Sequence, residues 1–336
     1  MRIAIDAREL AGQPTGVGRF LQEILTQWRD AGLARHHELV LLAPGEGEAA
    51  GTGWEQLTLP RLVRESGADV LLAPGYTAPL RSPVPTVVVI HDVSFAAHPE
   101  WFSWREGARR RTITRLAAAR AARVITVSHF SKREIVSYLG VDPAKVRVVY
   151  HGLSRVATPA AGRNILYVGT IFNRRHIPEL IAAFERLATA HPTVALDIVG
   201  ANRTAPRIDV AALACDSRVR VGSYVDDGRL AELYAGAGAF VFLSDYEGFG
   251  LTPLEALGAG IPPVVLDTAV AREIYGDAAI YVATPQPEQI AAAVERALFD
   301  EAERARVLRA AADVLPRYSW LRAATQLLQA VEEAAG

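Results

Sequence analysis

Residues 239–267 read AFVFLSDYEGFGLTPLEALGAGIPPVVLD, and the punctuation of this stretch decides the fold. The apolar run Ala239–Leu243 has the length and composition of a fully buried strand. It passes into a polar, glycine-bearing loop that opens a short helix at Thr252. Thr252-Pro253-Leu254-Glu255 reads as a helix start, with an N-cap hydroxyl, proline at the first helical position and glutamate at the third. Gly258 and Gly260 end the helix, and Pro262-Pro263 launches another apolar strand, Val264–Leu266. Such strand–loop–helix–strand units build open parallel sheets, which bind ligands outside the carboxyl ends of their strands. Glu247 lies before the turn and Glu255 on the helix, with seven residues between them. The N–H groups of the loop and first helical turn favour an anion in the same space. A capping box accounts for Glu255, whereas no local helix or strand requires a carboxylate at Glu247.

The 336 residues give room for two domains of ordinary size. Hydrophobic residues make up 50% of the chain, which excludes a disordered protein. No apolar run reaches the length of a membrane span, and Met1-Arg2-Ile3-Ala4-Ile5-Asp6 reads as a strand rather than a signal peptide. The single cysteine, Cys215, allows neither an internal disulfide nor a thiolate metal cluster. These features lead us to expect a cytoplasmic protein. Charge is unevenly divided: residues 1–155 hold 20 Lys/Arg against 15 Asp/Glu, and residues 156–336 hold 16 against 22. A basic first half suits an anionic partner, although drift in surface charge would produce the same split.

From the amino terminus, a strand Arg2–Asp6 and a loop through Gln13-Pro14-Thr15 lead to a helix from about Gly16 to Asp30. Gly16 and Gly18 would let a phosphate or sugar approach the backbone there. Leu21 stands where a dinucleotide fingerprint would want a third glycine, so that reading is rejected. Strands are expected at Glu38–Ala43, Glu55–Leu59, Val70–Ala73 and Thr86–Ile90, the last delivering His91-Asp92 to its carboxyl end. A helix over Ser103–Ala122 carries Arg105, Arg109, Arg110, Arg111, Arg115 and Arg120. It is either a solvated face or a ridge that meets anionic lipid or a phosphorylated acceptor. After a linker, Ser154–Gly162, the strand Asn164–Val168 runs into the loop Gly169–His176 and a helix at Pro178. Arg174 and Arg175 beside that helix start suit phosphate oxygens. Strands and helices then alternate to Val314, and Tyr318-Ser319-Trp320 opens a last amphipathic helix.

Glu247-Gly248-Phe249-Gly250-Leu251-Thr252-Pro253-Leu254-Glu255 resembles, residue for residue, the Glu-seven-Glu signature of retaining glycosyltransferases of the two-domain GT-B fold, family 4 in particular. VVVIHDVSF (87–95) is similar to the family's His-Asp element. VITVSHFSKREI (124–135) is similar to its Val-Ser-Glu-Phe-Ser element, with His129 where glutamate is common. The resemblance implies two doubly wound, Rossmann-like α/β domains facing across a cleft. Residues 1–155 would be the acceptor-binding domain, 156–316 the nucleotide-sugar-binding domain, and 317–336 a helix crossing back to the first.

It also implies roles. Glu247 would touch the donor sugar and Glu255 hold the ribose, while Phe249, Gly250, Leu251 and Thr252 approach the sugar and diphosphate. Arg174 and Arg175 would neutralise the diphosphate, with Gly169 and Thr170 in the same loop. Arg175 stands where the family has lysine, and Thr170 where some relatives have a further arginine. Gly16 and Gly18 would belong to the first-domain glycine loop near the donor phosphates, and His91 would face the sugar from the acceptor domain. No residue is placed as a covalent nucleophile, in line with front-face substitution in which the leaving phosphate takes the acceptor proton. Neither metal nor cofactor is expected. The donor would be a nucleotide-diphosphate sugar, GDP-mannose on the likeness to bacterial polysaccharide mannosyltransferases. The acceptor would be a glycan or lipid-linked glycan, with contact at the inner face of an anionic membrane and no nucleic-acid partner. Two rivals share the scaffold: an isomerase or phosphorylase, and a non-catalytic sugar-nucleotide-binding protein. A phosphorylase of the glycogen type needs a lysine for pyridoxal in its second half, and no lysine follows Lys145.

Overall fold

The computed structural model describes residues 1–11, 16–45, 49, 51–154 and 162–336. The turn Gln13-Pro14-Thr15 and most of the expected linker lie outside the described residues. The chain divides into two units: Met1–Gly152 with Tyr318–Gly336, and Leu153–Arg317.

In the first unit β1 (Arg2–Asp6), β2 (Glu38–Leu42), β3 (Val70–Ala73), β4 (Thr86–Val89), β5 (Arg123–Thr126) and β6 (Val146–Val148) form a parallel sheet ordered β2-β1-β3-β4-β5-β6. These strands are apolar on both sides because both faces of the sheet are covered. Ile3, Ile5, Leu72 and Val89 pack against Phe20 and Trp28 of the helix Gly16–Asp30 and Leu327 of the helix Trp320–Ala335. The alternate residues turn the other way, Ala4 and Leu71 onto Leu59 and Val63, and Val88 and Val124 onto Ala117, Ala118 and Ile135. Trp28 Nε1 donates to the Ala324 carbonyl at 2.9 Å, fixing the last helix on the first.

In the second unit β7 (Asn164–Val168), β8 (Leu196–Val199), β9 (Val219–Gly222), β10 (Ala237–Phe242), β11 (Pro263–Leu266) and β12 (Ile280–Val282) form a parallel sheet ordered β12-β11-β10-β7-β8-β9. The chain winds outward through β8 and β9, returns to lay β10 on the other side of β7, and winds outward again. The direction therefore reverses between β7 and β10, and doubly wound sheets bind ligands outside the carboxyl ends at that point. The loops that leave β7 and β10 carry Arg174, Arg175 and Glu247. The doubly wound α/β class read from the sequence holds for both units.

One expected element is wrong. Residues 55–59 are not a strand: Trp54–Thr58 is a turn of π-helix that continues into a helix Leu59–Ser66. Pro60 sits at its start, and Leu59 and Val63, four residues apart, both reach the core. Glu55 turns inward to a buried ionic cluster in which Arg8 pairs with both Asp6 and Glu55. Burial pushes the Asp6 carboxyl up to about 6, against the pull of Arg8. A second helix, Ala269–Tyr275, begins at Thr268, whose side chain accepts from the Ala271 N–H. The sequence reading does not mark it. The arginine-bearing helix spans Trp104–Arg120 with Ser103 as its cap, and Trp104 beside the arginines is 77% exposed.

Candidate active site

The loop after β7 folds around a single guanidinium. Arg175 Nη1 donates to the Thr170 carbonyl at 2.7 Å, and the Tyr167 hydroxyl donates to the same carbonyl at 3.0 Å. Gly169 has φ 151, a backbone conformation in which a side chain is strained, and a Cβ there would lie 2.9 Å from Arg175 Nη1 and displace the guanidinium. The Arg175 guanidinium stacks 4.6 Å from the centre of the Phe242 ring. Its Nε and Nη2 donate to Glu247 Oε1 at 3.1 and 2.8 Å, and Ser244 Oγ donates to the same oxygen at 2.7 Å. Two residues read separately from the sequence are thus each other's partner, at the point where the sheet changes direction.

The side chains of Arg175 and Glu247 are only 11% and 20% exposed. Burial works against the guanidinium's charge, and Glu247, then Tyr167, more than offset it, so Arg175 stays protonated. A half-buried pair of this kind is retained only with hydrogen bonds on both members, as here. Arg174 lies 4.5 Å from the centre of the Phe172 ring, and its carbonyl accepts from the Asp245 N–H at 3.0 Å.

The loop after β10 enters its helix differently from the sequence reading. The helix is Leu251–Gly258, its N-cap is Gly250 at φ 86, and no side chain caps it. Thr252 is therefore not the N-cap, and Glu255 is not its capping-box partner. Glycine can enter a helix from the left-handed region without strain, and Pro253 in the first turn lacks an N–H that would otherwise need a partner. Tyr275 holds this entry: its hydroxyl donates to the Gly250 carbonyl at 2.6 Å, and a Cβ on Gly250 would lie 2.2 Å from that oxygen. Capping therefore does not explain Glu255, a carboxylate only 7% exposed. Phe249 is buried, while Leu251 and Thr252 are partly open. A small pocket of about 20 Å³ at the carboxyl ends of β10 and β11 is lined by Phe242, Ser244, Glu247, Phe249, Thr268 and Tyr275. Ser244 and Tyr275 are the site residues that sequence reasoning missed. The cap Thr268, with Val270 and Ile274 four residues apart, was the available signal for the helix that carries Tyr275.

In the first unit His91 follows β4 and is 9% exposed. Its Nε2 lies 3.0 Å from the Pro74 carbonyl, which can only accept, so Nε2 carries the proton. Burial pushes the imidazole below its ordinary value, more than Pro74, Asp92 and Glu9 restore, and the ring is neutral. Nδ1 is then an acceptor, suited to a hydroxyl donor. Phe20 meets the ring edge-on at 5.2 Å, and His151 stacks on it at 5.6 Å with the planes 14° apart. Gly16 opens the first long helix, and a Cβ there would meet nothing within 4 Å, while Gly18 is buried.

Arg175, its ion-paired Glu247 and the neighbouring Arg174 thus meet at the switch point of the second sheet, on the loops that leave β7 and β10. Comparisons with known proteins identify the family. The model of glycosyltransferase family 4 matches residues 14–155, and that of glycosyl transferases group 1 matches residues 156–314. The chain belongs to these glycosyltransferases, each unit matching one model.

A glycogen synthase of Mycobacterium tuberculosis is 30% identical over 258 residues, 73% of this chain and 62% of that protein. The O-antigen chain mannosyltransferase B of Escherichia coli is 25% identical over 73% of this chain and 69% of its own. The chain thus spans about three-fifths of the length of the first of these relatives. Among solved structures, Anabaena Alr3699/HepE in complex with UDP and glucose aligns with a TM-score of 0.75 at 19% identity, covering 99% of this chain and 100% of that one. That likeness shows the GT-B fold.

Proposed function

We propose that the protein transfers a sugar from a nucleotide-diphosphate sugar to an acceptor hydroxyl with retention of configuration, and without a metal. The observation that carries this is the Arg175–Glu247 pair at the β7/β10 switch point. A diphosphate competes with Glu247 for the guanidinium, and the released carboxylate turns to the sugar hydroxyls. Arg174, Arg175 and the amides of Phe249–Thr252 stabilise the departing diphosphate, with Gly169 and Thr170 shaping the turn. In this reading Glu255 is assigned to the ribose, and Gly16 and Gly18 to the donor phosphates. His91 accepts a hydrogen bond from a sugar hydroxyl through Nδ1. Among the described residues no three His, Cys, Asp or Glu side chains gather as a metal-ligand set.

The names of the mannosyltransferase relatives support mannose as the sugar, and we take GDP-mannose as donor and a glycan or lipid-linked glycan as acceptor. A thermal-shift screen of nucleoside diphosphates and their sugars in excess chelator tests the reading. A ligand at 100 times its dissociation constant adds about 2.7 kcal/mol. Transfer that stops in chelator and returns with magnesium or manganese would overturn the metal-free step. The second reading, a binding protein without catalysis, is favoured by arginine at the family's lysine position, and predicts binding with no transfer.

We place the protein in the cytoplasm, at the inner face of an anionic membrane. Among the described residues no helix is long and apolar enough to cross one. Contact would run through the helix Trp104–Arg120, where exposed Trp104 stands beside Arg105, at 5.5 Å, and the remaining arginines face outward. Replacing Arg109, Arg110 and Arg115 with glutamine should weaken sedimentation with phosphatidylglycerol vesicles and leave donor binding intact. Unchanged sedimentation would return this helix to an ordinary solvated face.

A further inference from the structure

His176 stands in the left-handed region, at φ 49, between Arg175 and the helix Ile177–Ala188. That conformation is uncommon outside glycine, and histidine, like asparagine and aspartate, enters it more readily than most residues, the more so where its side chain is anchored. The imidazole is anchored here: Nε2 lies 2.9 Å from both carboxylate oxygens of Asp245, and Nδ1 lies 3.5 Å from Glu179 Oε1. Asp245 sits in the loop after β10, two residues before Glu247, and its N–H already donates to the Arg174 carbonyl. The β7 and β10 loops are therefore laced together by the Asp245 amide, by His176 and by the Arg175–Glu247 pair.

We propose that His176 is a positioning residue whose proton sets the affinity of the adjoining arginine loop for a nucleoside diphosphate. Protonated, it ties the two loops and offsets the carboxylates that face it, Asp245 from the β10 loop and Glu179 from its own helix. Neutral, it leaves both carboxylates uncompensated beside an anion site whose second arginine, Arg175, is already matched by Glu247. Burial works against the charged imidazole, but the hydrogen bond and charge of Asp245, with Glu179, outweigh it and hold the group above the ordinary histidine value. The charge is complete below the unfolded value and is lost as pH rises through the raised folded value.

This deepens the proposed donor site and rests on it. The test is isothermal calorimetry of ADP, CDP, GDP, UDP and dTDP with the whole chain from pH 5.5 to 8.5, in two buffers of different ionisation enthalpy. The proteins compared are wild type, His176→Asn and His176→Gly, both of which suit the left-handed backbone. Nucleoside diphosphates gain charge over this range for every protein, so the comparison between proteins carries the result. The wild-type advantage over His176→Asn should fall about five- to tenfold from acid to alkaline pH, with proton uptake on binding seen only in the wild type. Identical pH profiles and identical proton uptake in all three overturn the role of His176 and leave the donor site standing. No binding of any of the five by any protein overturns the donor site itself, and this role with it.

Discussion

Glu247→Gln should depress sugar transfer by about a hundred- to a thousandfold while nucleoside-diphosphate affinity rises. The amide oxygen of glutamine can accept the same hydrogen bonds from Arg175 Nε, Arg175 Nη2 and Ser244 Oγ that Glu247 Oε1 accepts. Loop geometry is therefore kept while the charge is removed. Arg175 then lacks its counter-ion and offers its full charge to a diphosphate. Turnover falls because positive charge develops on the sugar as the diphosphate leaves, and an electrostatic partner aimed at that charge is lost.

From the sequence alone Glu247 has no structural duty, which would leave the melting temperature unchanged. The ion pair corrects that expectation: losing the charge of one partner should cost on the order of 1–3 kcal/mol and lower the melting temperature by a few degrees. Calorimetry, a melting curve and a transfer assay on the same preparation separate these effects. Transfer at the wild-type rate would remove the β10 loop from the catalytic centre.

Glu255→Ala should behave in the opposite sense, weakening nucleoside-diphosphate binding about ten- to a hundredfold and sparing turnover at saturating donor. Hydrogen bonds to a charged group contribute roughly 1.5–3 kcal/mol, which sets that range. Because Gly250 caps the helix by backbone conformation alone, no stability loss of the capping kind, roughly 1 kcal/mol, should accompany the change. A binding curve that matches wild type, with a melting temperature lowered as by a lost cap, would make Glu255 a helix residue and nothing more.

The fold was legible because local signals agreed with one another along most of the chain. The strand Val219–Gly222 and the helices Pro287–Phe299 and Glu301–Val314 occupy the residues that apolar spacing and their flanking prolines, glycines and acidic caps mark out. The misread segment at residues 55–59 fails for a physical reason. A short run with alternating apolar residues looks alike in a strand and at a helix start, and the cluster with Arg8 that buries Glu55 is tertiary.

The site divides in the same way. Glu247, Arg174 and Arg175 can be nominated from residue type and spacing. That Arg175 closes on Glu247 follows from β10 lying beside β7, which no local pattern announces. Tyr275 holding Gly250, and His176 holding Asp245, also join residues 25 and 69 positions apart, beyond the reach of periodicity.

The most direct measurement is proton NMR of the anomeric signal while the protein acts on a panel of nucleotide-diphosphate sugars that includes GDP-mannose and UDP-glucose. The account predicts that the nucleoside diphosphate is released from at least one donor in excess chelator, and that the transferred or hydrolysed sugar first appears with the donor's own anomeric configuration. First appearance of the opposite anomer, or no release from any donor in the panel, would contradict it.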